Sequence, residues 1–172
     1  GMPHRGPYRY CAGGGPYWCG FIITASWRTW QNYGDMLFLE RSYPVMQKWL
    51  DYVERHSPTG LLEPWSDTDY RSWYLGDWAT PLGTDQTNKA SIDLVNNCFI
   101  TICYETMQKI AEVLGKADDK VKYSIRKDAL KKKIQDKFFD PVQKTYASGS
   151  QIDLTYPLLA GVVPDSLIGT IK

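Results

Sequence analysis

From Phe21 to Tyr33 the apolar residues Ile23, Trp27 and Trp30 recur at i, i+4 and i+7, the spacing of one helical face. Gly34 follows, and a glycine suits the position after a helix because the backbone there turns to positive φ. Asp35 can cap a short turn from Met36 to Arg41, after which Pro44 fits the first position of a new helix. In that helix Met46, Trp49, Leu50 and Val53 mark a single face, and Ser57-Pro58-Thr59-Gly60 should stop it near His56. Residues 58–91 lose the period and hold Pro58, Gly60, Pro64, Gly76, Pro81 and Gly83, so they read as a long loop.

The pattern returns at Asp93 to Leu114, where Val95, Cys98, Phe99, Ile102, Cys103, Met107, Ile110, Ala111 and Leu114 form a stripe wide enough to be touched on more than one side. Gly115 ends it. From Asp118 to Phe139 the stripe is narrow, Val121, Ile125, Leu130, Ile134 and Phe138, and the remainder is charged, which predicts a helix with one buried side. Asp140 to Gly149 reads as a turn or short extended piece. Ser150 or Gln151 begins a final short helix through Leu159, interrupted by Pro157 and closed by Gly161 and Pro164. Five helices of alternating broad and narrow apolar faces predict an all-α, two-layer array, an (α/α) barrel or solenoid. No period of 20 to 50 residues repeats, which weighs against a regular solenoid.

Composition narrows the partners. In 172 residues, 20 Lys and Arg stand against 19 Asp and Glu, so no net field draws nucleic acid or an anionic membrane. Lys131-Lys132-Lys133 shares its helix with Asp118, Asp119, Asp128 and Asp136, the sign mixing of a solvated outer face. No apolar run nears the roughly 20 residues that span a bilayer, and the first residues lack a signal peptide's apolar core. Four cysteines without a CxxC pair and two distant histidines, His4 and His56, predict no metal site, and no cofactor is expected.

The unusual quantity is aromatic: seven Trp and twelve Tyr. Between Glu63 and Trp78, carboxylates interleave with Trp65, Tyr70, Trp73, Tyr74 and Trp78 in one loop. A sugar ring has apolar C–H faces that stack on indole and hydroxyls that donate to carboxylates, so Trp supplies a wall and Asp an orientation. The alternative is that Trp65, Trp73 and Trp78 seal the loop against the helices; binding is favoured because functional residues concentrate on loops held by rigid scaffolds. Glycoside hydrolysis generally needs two carboxyl groups about 5 to 9.5 Å apart. Asp67, Asp69, Asp77 and Asp85 could pair, but their spacing selects none.

Gly13-Gly14-Gly15-Pro16-Tyr17-Trp18-Cys19-Gly20 is a second constellation, a bare backbone that delivers Trp18 at a helix start, or simply a flexible terminal segment. Cys19 has no histidine near it in sequence to act as base, so a plain thiol is expected. Asn96-Asn97 reads as capping or packing more than as a ligand contact.

Taken in order, Gly13 to Trp18, Tyr33-Gly34-Asp35, Tyr43-Pro44-Val45-Met46 with Trp49, Leu75-Gly76-Asp77-Trp78, Asn96-Asn97-Cys98, Ile110 to Gly115 and Tyr156 to Pro164 resemble the catalytic barrel of bacterial α-L-rhamnosidases, glycoside hydrolase family 78. The likeness runs from about Gly13 to Pro164 and implies part of a six-hairpin (α/α) barrel. The pattern along the chain divides it into a loop (1–17), first helices (21–56), a sugar-site loop (57–91), a long helical hairpin (92–139) and a final short helix (150–164). The resemblance further implies cleavage of terminal α-L-rhamnose with inversion, a rhamnose-containing carbohydrate as partner, and a periplasmic or secreted setting. The family's general acid lies upstream of the segment matching Trp18 and its base downstream of that matching Pro164, so no residue here is assigned as catalytic. The resemblance places pocket walls at Trp18 and Trp73, with Asp77 and Trp78 shaping the same pocket. Cys19 departs from the small polar or acidic residue usual in relatives, and Tyr17 is bulkier than usual. A truncated barrel would leave one apolar edge, so self-association is expected.

Overall fold

The computed structural model describes residues 16–64, 74 and 88–171, the Tyr17 side chain excepted. Among the described residues are five α-helices, α1 (Pro16–Tyr33), α2 (Met36–Arg55), α3 (Lys89–Val113), α4 (Ala117–Phe138) and α5 (Gln151–Leu159), with a two-stranded hairpin, β1 (Phe139–Asp140) and β2 (Thr145–Tyr146), and a 3-10 turn at Asp165–Leu167. No helix of the described residues is long and apolar enough to cross a membrane.

α1, α3 and α5 form one layer: α3 packs against both of the others, while α2 covers α1 and α4 covers α3. The layers alternate because the links are short. Gly34, at φ +67°, turns the chain from α1 to Asp35, whose carboxylate accepts the Phe38 N–H at 2.9 Å as the cap of α2. Gly115 repeats the turn between α3 and α4, also at φ +67°. The outer helices are tied to each other through polar groups: the Tyr43 hydroxyl donates to Asp119 at 2.7 Å, Gln47 joins the same oxygen at 3.2 Å, and Arg126 pairs with Glu54 at 2.6 Å.

The wide stripe of α3 holds. Its buried positions run around most of the circumference, from Ile92, Leu94 and Val95 through Cys98, Ile100 and Cys103 to Met107, Ile110 and Ala111. The helix starts four residues earlier than the periodicity indicated, because Asn88 caps it by accepting the Ser91 N–H at 3.2 Å.

Three expectations are corrected. Pro44 does not begin a helix; α2 runs unbroken from Met36 to Arg55 with Pro44 inside it. Pro44 and Glu40 both face solvent, where water can take the carbonyl that a proline four residues on leaves without an N–H, while buried Leu39, Tyr43 and Met46 hold the helix on either side. Pro157 likewise sits within the last turns of α5 rather than interrupting it. The third concerns α4: Val121 and Ile125 are exposed, at 59% and 64%, and the buried face is Tyr123, Leu130, Ile134 and Phe138. Tyr123, stacked beside Tyr104 at 6.3 Å, fills the site that an all-aliphatic reading gave to its neighbours.

Candidate functional site

Trp18 lies in the first turn of α1, where Pro16 can occupy the opening position because its missing N–H would have no partner there anyway. Cys19, Ile23 and Ser26 face inward with Gly20, and the half-buried rings of Trp27 and Trp30 stack at 4.7 Å between centroids along the same side. Trp18 stands on the opposite side with its indole 47% exposed, next to exposed Phe21. Gly20 sets how closely α1 meets α3: a Cβ there would fall 2.5 Å from the Phe99 ring and 3.1 Å from the Cys103 sulfur. Trp18 thus precedes by two residues the point where α1 meets α3.

Asn97 is the polar pivot of this region. Fully buried, its side chain accepts the Leu62 N–H at 2.8 Å and donates to the Leu62 carbonyl at 3.0 Å, while also donating to Asp93 O at 2.9 Å within α3. The Tyr74 hydroxyl donates to the same Leu62 carbonyl at 2.8 Å. Residues 62 and 74, twelve apart in sequence, are thus held at one carbonyl on the surface of α3. Burial, reinforced by the negative charges of Asp93 and Glu63, pushes the Tyr74 hydroxyl far up, so it remains a donor. Asp93 is raised as well, chiefly by desolvation, with Lys137 and the Tyr74 hydrogen bond acting against that. Asn96 is also buried and donates to Ile92 O at 2.8 Å. The pair serves packing; the cap of α3 is Asn88.

A buried carboxylate that periodicity did not reveal closes the same end of the array. Asp153 accepts from the Ser91 hydroxyl of α3, from the Ser148 N–H at 3.1 Å and its hydroxyl after β2, and from the Ser150 N–H at 3.4 Å. Saturated by donors from α3 and from the link before α5, it acts as a tie rather than a reagent. Its signal was the Ser150-x-x-Asp153 pattern, a capping box in which a short acid replaces Glu or Gln.

Cys98 and Cys103 are buried, and burial pushes both thiols well above the ordinary range, Cys98 further so through the charge of Asp153. Cys19 is buried too, at 3% exposure, which suits packing rather than attack on a substrate. Of the four expected sugar-contacting residues, Trp18 is placed with an accessible ring, whereas Trp73, Asp77 and Trp78 lie outside the described residues. So do Trp65, Asp67, Asp69 and Asp85, and the glycines before Pro16.

Alternating inner and outer helices, with a long aromatic connection between α2 and α3 pinned to the inner layer, define a segment of an (α/α) hairpin array. Residues 1–171 match the model of the bacterial alpha-L-rhamnosidase 6 hairpin glycosidase domain, and the chain belongs to that family. Curated relatives include the alpha-L-rhamnosidase of Alteromonas sp. (strain LOR), 25% identical over 128 residues, which are 72% of this chain and 13% of the relative. That of Formosa agariphila is 27% identical over 124 residues, 71% of this chain and 12% of the relative. Among solved structures, the alpha-L-rhamnosidase from Dictyoglumus thermophilum aligns with a TM-score of 0.81 at 29% identity, covering 95% of this chain and 18% of that one. The native enzyme from Aspergillus terreus gives 0.82 at 21%, covering 99% and 20%, a likeness of fold. The chain thus spans 12% to 13% of the length of the curated relatives it matches.

Proposed function

We propose that this chain is one section of an α-L-rhamnosidase that removes terminal α-L-rhamnose with inversion, and that it contributes part of the sugar pocket rather than the catalytic acid and base. The observation that carries the reading is the family match along 1–171 combined with an exposed Trp18 indole at the start of an inner-layer helix. In this proposal Trp18 and Trp73 stack on the sugar, Asp77 orients a hydroxyl and Trp78 shapes the turn beside it. Inverting hydrolysis needs a proton donor and a water-activating carboxylate on opposite sides of the ring. Both come from parts of the barrel beyond these residues, so the 172-residue chain alone is inactive.

Turnover of an aryl α-L-rhamnoside by the 172-residue chain and by a chain extended through its encoded flanks tests this. Activity in the extended chain alone supports it. An extended chain inert on rhamnosides but active on another glycoside removes the substrate assignment and keeps the hairpin-glycosidase class.

The α1–α2 side exposes Phe21, Tyr33, Leu37 and Phe38, more large apolar surface than a finished face leaves to water. Self-association through this edge is the corresponding expectation, and sedimentation equilibrium reads it: mass rises with concentration if the edge pairs, whereas a constant monomer mass contradicts it.

A further inference from the structure

On the outer side of the fold a cleft of about 200 Å³ opens between the end of α2, the 57–62 turn, α3 and α4. Its floor is apolar, formed in part by Leu62, Ile100 and Tyr104, and its charged lining is Arg126, Lys133 and Glu54. Glu54 neutralises one cation, pairing with Arg126 Nη2 at 2.6 Å. The other arm of that guanidinium, Nη1, is closed off from water and has no hydrogen-bond acceptor, so one of its donors is left unsatisfied beside the cleft. Lys133, whose ammonium donates to the Thr59 carbonyl, spends one of three N–H groups there and keeps the others for the cleft. Two cations against one carboxylate leave a single positive charge over an apolar floor, the complement of one negative charge on a small apolar body.

We propose that this cleft is a binding site for small organic monocarboxylates. The carboxylate takes the remaining Lys133 N–H groups in the field of Arg126, and the body lies against Leu62, Ile100 and Tyr104. A neutral analogue of the same shape keeps the floor contact and loses the charge-assisted bonds. Inorganic phosphate keeps the charge and loses the floor. The cleft shares Leu62 and Asn97 with the anchor of the 57–91 loop, but its cations belong to α4 and its test reads binding without turnover, so it stands or falls separately from the rhamnosidase reading.

The test is amide-shift titration of the full 172-residue chain with sodium benzoate, benzyl alcohol and inorganic phosphate. Benzoate should give saturable shifts at Leu62, Ile100 and Arg126, with affinity at least about fivefold above benzyl alcohol and phosphate, as a partly exposed charge-assisted contact implies. Lys133→Gln removes an exposed donor and should weaken benzoate about threefold to tenfold. Ala129→Trp, at an exposed position lining the same cleft, should abolish the shifts by filling it while leaving both cations in place. Circular dichroism establishes that both variants keep the parent helix content. Absence of saturable shifts, equal binding of benzyl alcohol or phosphate, or unchanged benzoate affinity in either folded variant would overturn the proposal.

Discussion

α1 and α3 belong to the same inner layer, yet they are enclosed to different degrees. α3 is wrapped by α1, α4 and α5 and buries residues on nearly every side. Among the described elements α1 packs chiefly against α2 and α3, and it presents Trp18 and Phe21 to water on its far side. Both helices are about equally apolar in sequence, so the difference comes from neighbours and not from the residues themselves. An inner helix in this architecture is finished when flanked on both sides. Among the described elements α3 is flanked in this way and α1 on one side.

That contrast can be broken most forcefully inside α3. Met107→Ala removes a fully buried side chain from a region with neighbours on all sides and should cost about 2–5 kcal/mol in urea denaturation. A cost below 1 kcal/mol would mean α3 is not the packed centre. Asn97→Ala should cost about 1–3 kcal/mol, since it strands the Leu62 N–H in a buried place. The distinguishing readout is amide exchange at Leu62, which should accelerate more than exchange in the middle of α3.

A smaller effect has a sign set by burial. The folded chain raises the Asp93 pKa above its ordinary 3.8, so ionised Asp93 disfavours folding. That penalty is complete above the raised value, fades as pH falls through it and vanishes below 3.8. Asp93→Asn should therefore be more stable than the parent at pH 7, with the advantage shrinking toward pH 4, as thermal melts at the two pH values would show. A variant less stable at pH 7 would mean that Lys137 and Tyr74 outweigh desolvation. Smallest of all, Phe21→Ser on the open side of α1 should change monomer stability by no more than about 0.5 kcal/mol while weakening self-association.

Much of the helical frame was legible because periodicity reports burial directly. Ile23, Met46, Leu50 and Met107 lie at 0% exposure where their spacing put them. It failed where a rule about one residue type met a tertiary context. Pro44 reads as a helix start in isolation, yet its bond-deficient side faces solvent, where the helix tolerates it. Val121 and Ile125 outrank Tyr123 in apolar character, but the aromatic ring, able to stack on Tyr104, takes the buried place.

The candidate site was less legible because its anchors are long-range. Nothing local indicates that Asn97 meets Leu62, 35 residues away, or that Ser91 reaches Asp153, 62 away. Such pairs exist only once the link after α2 and the start of α5 are laid against α3. Trp18, by contrast, could be singled out because a glycine run followed by Pro and Trp is conspicuous in any context.

The central claim is that these residues form a wall of a rhamnosidase pocket and lack its acid and base. The most direct measurement is release of aryl alcohol from an aryl α-L-rhamnoside, followed with the 172-residue chain, with the flank-extended chain, and with the extended chain carrying Trp18→Ala. The account predicts no turnover by the first, turnover by the second, and a loss in the third that falls mainly on substrate binding. Turnover by the 172-residue chain, or an extended chain indifferent to Trp18→Ala, would contradict it.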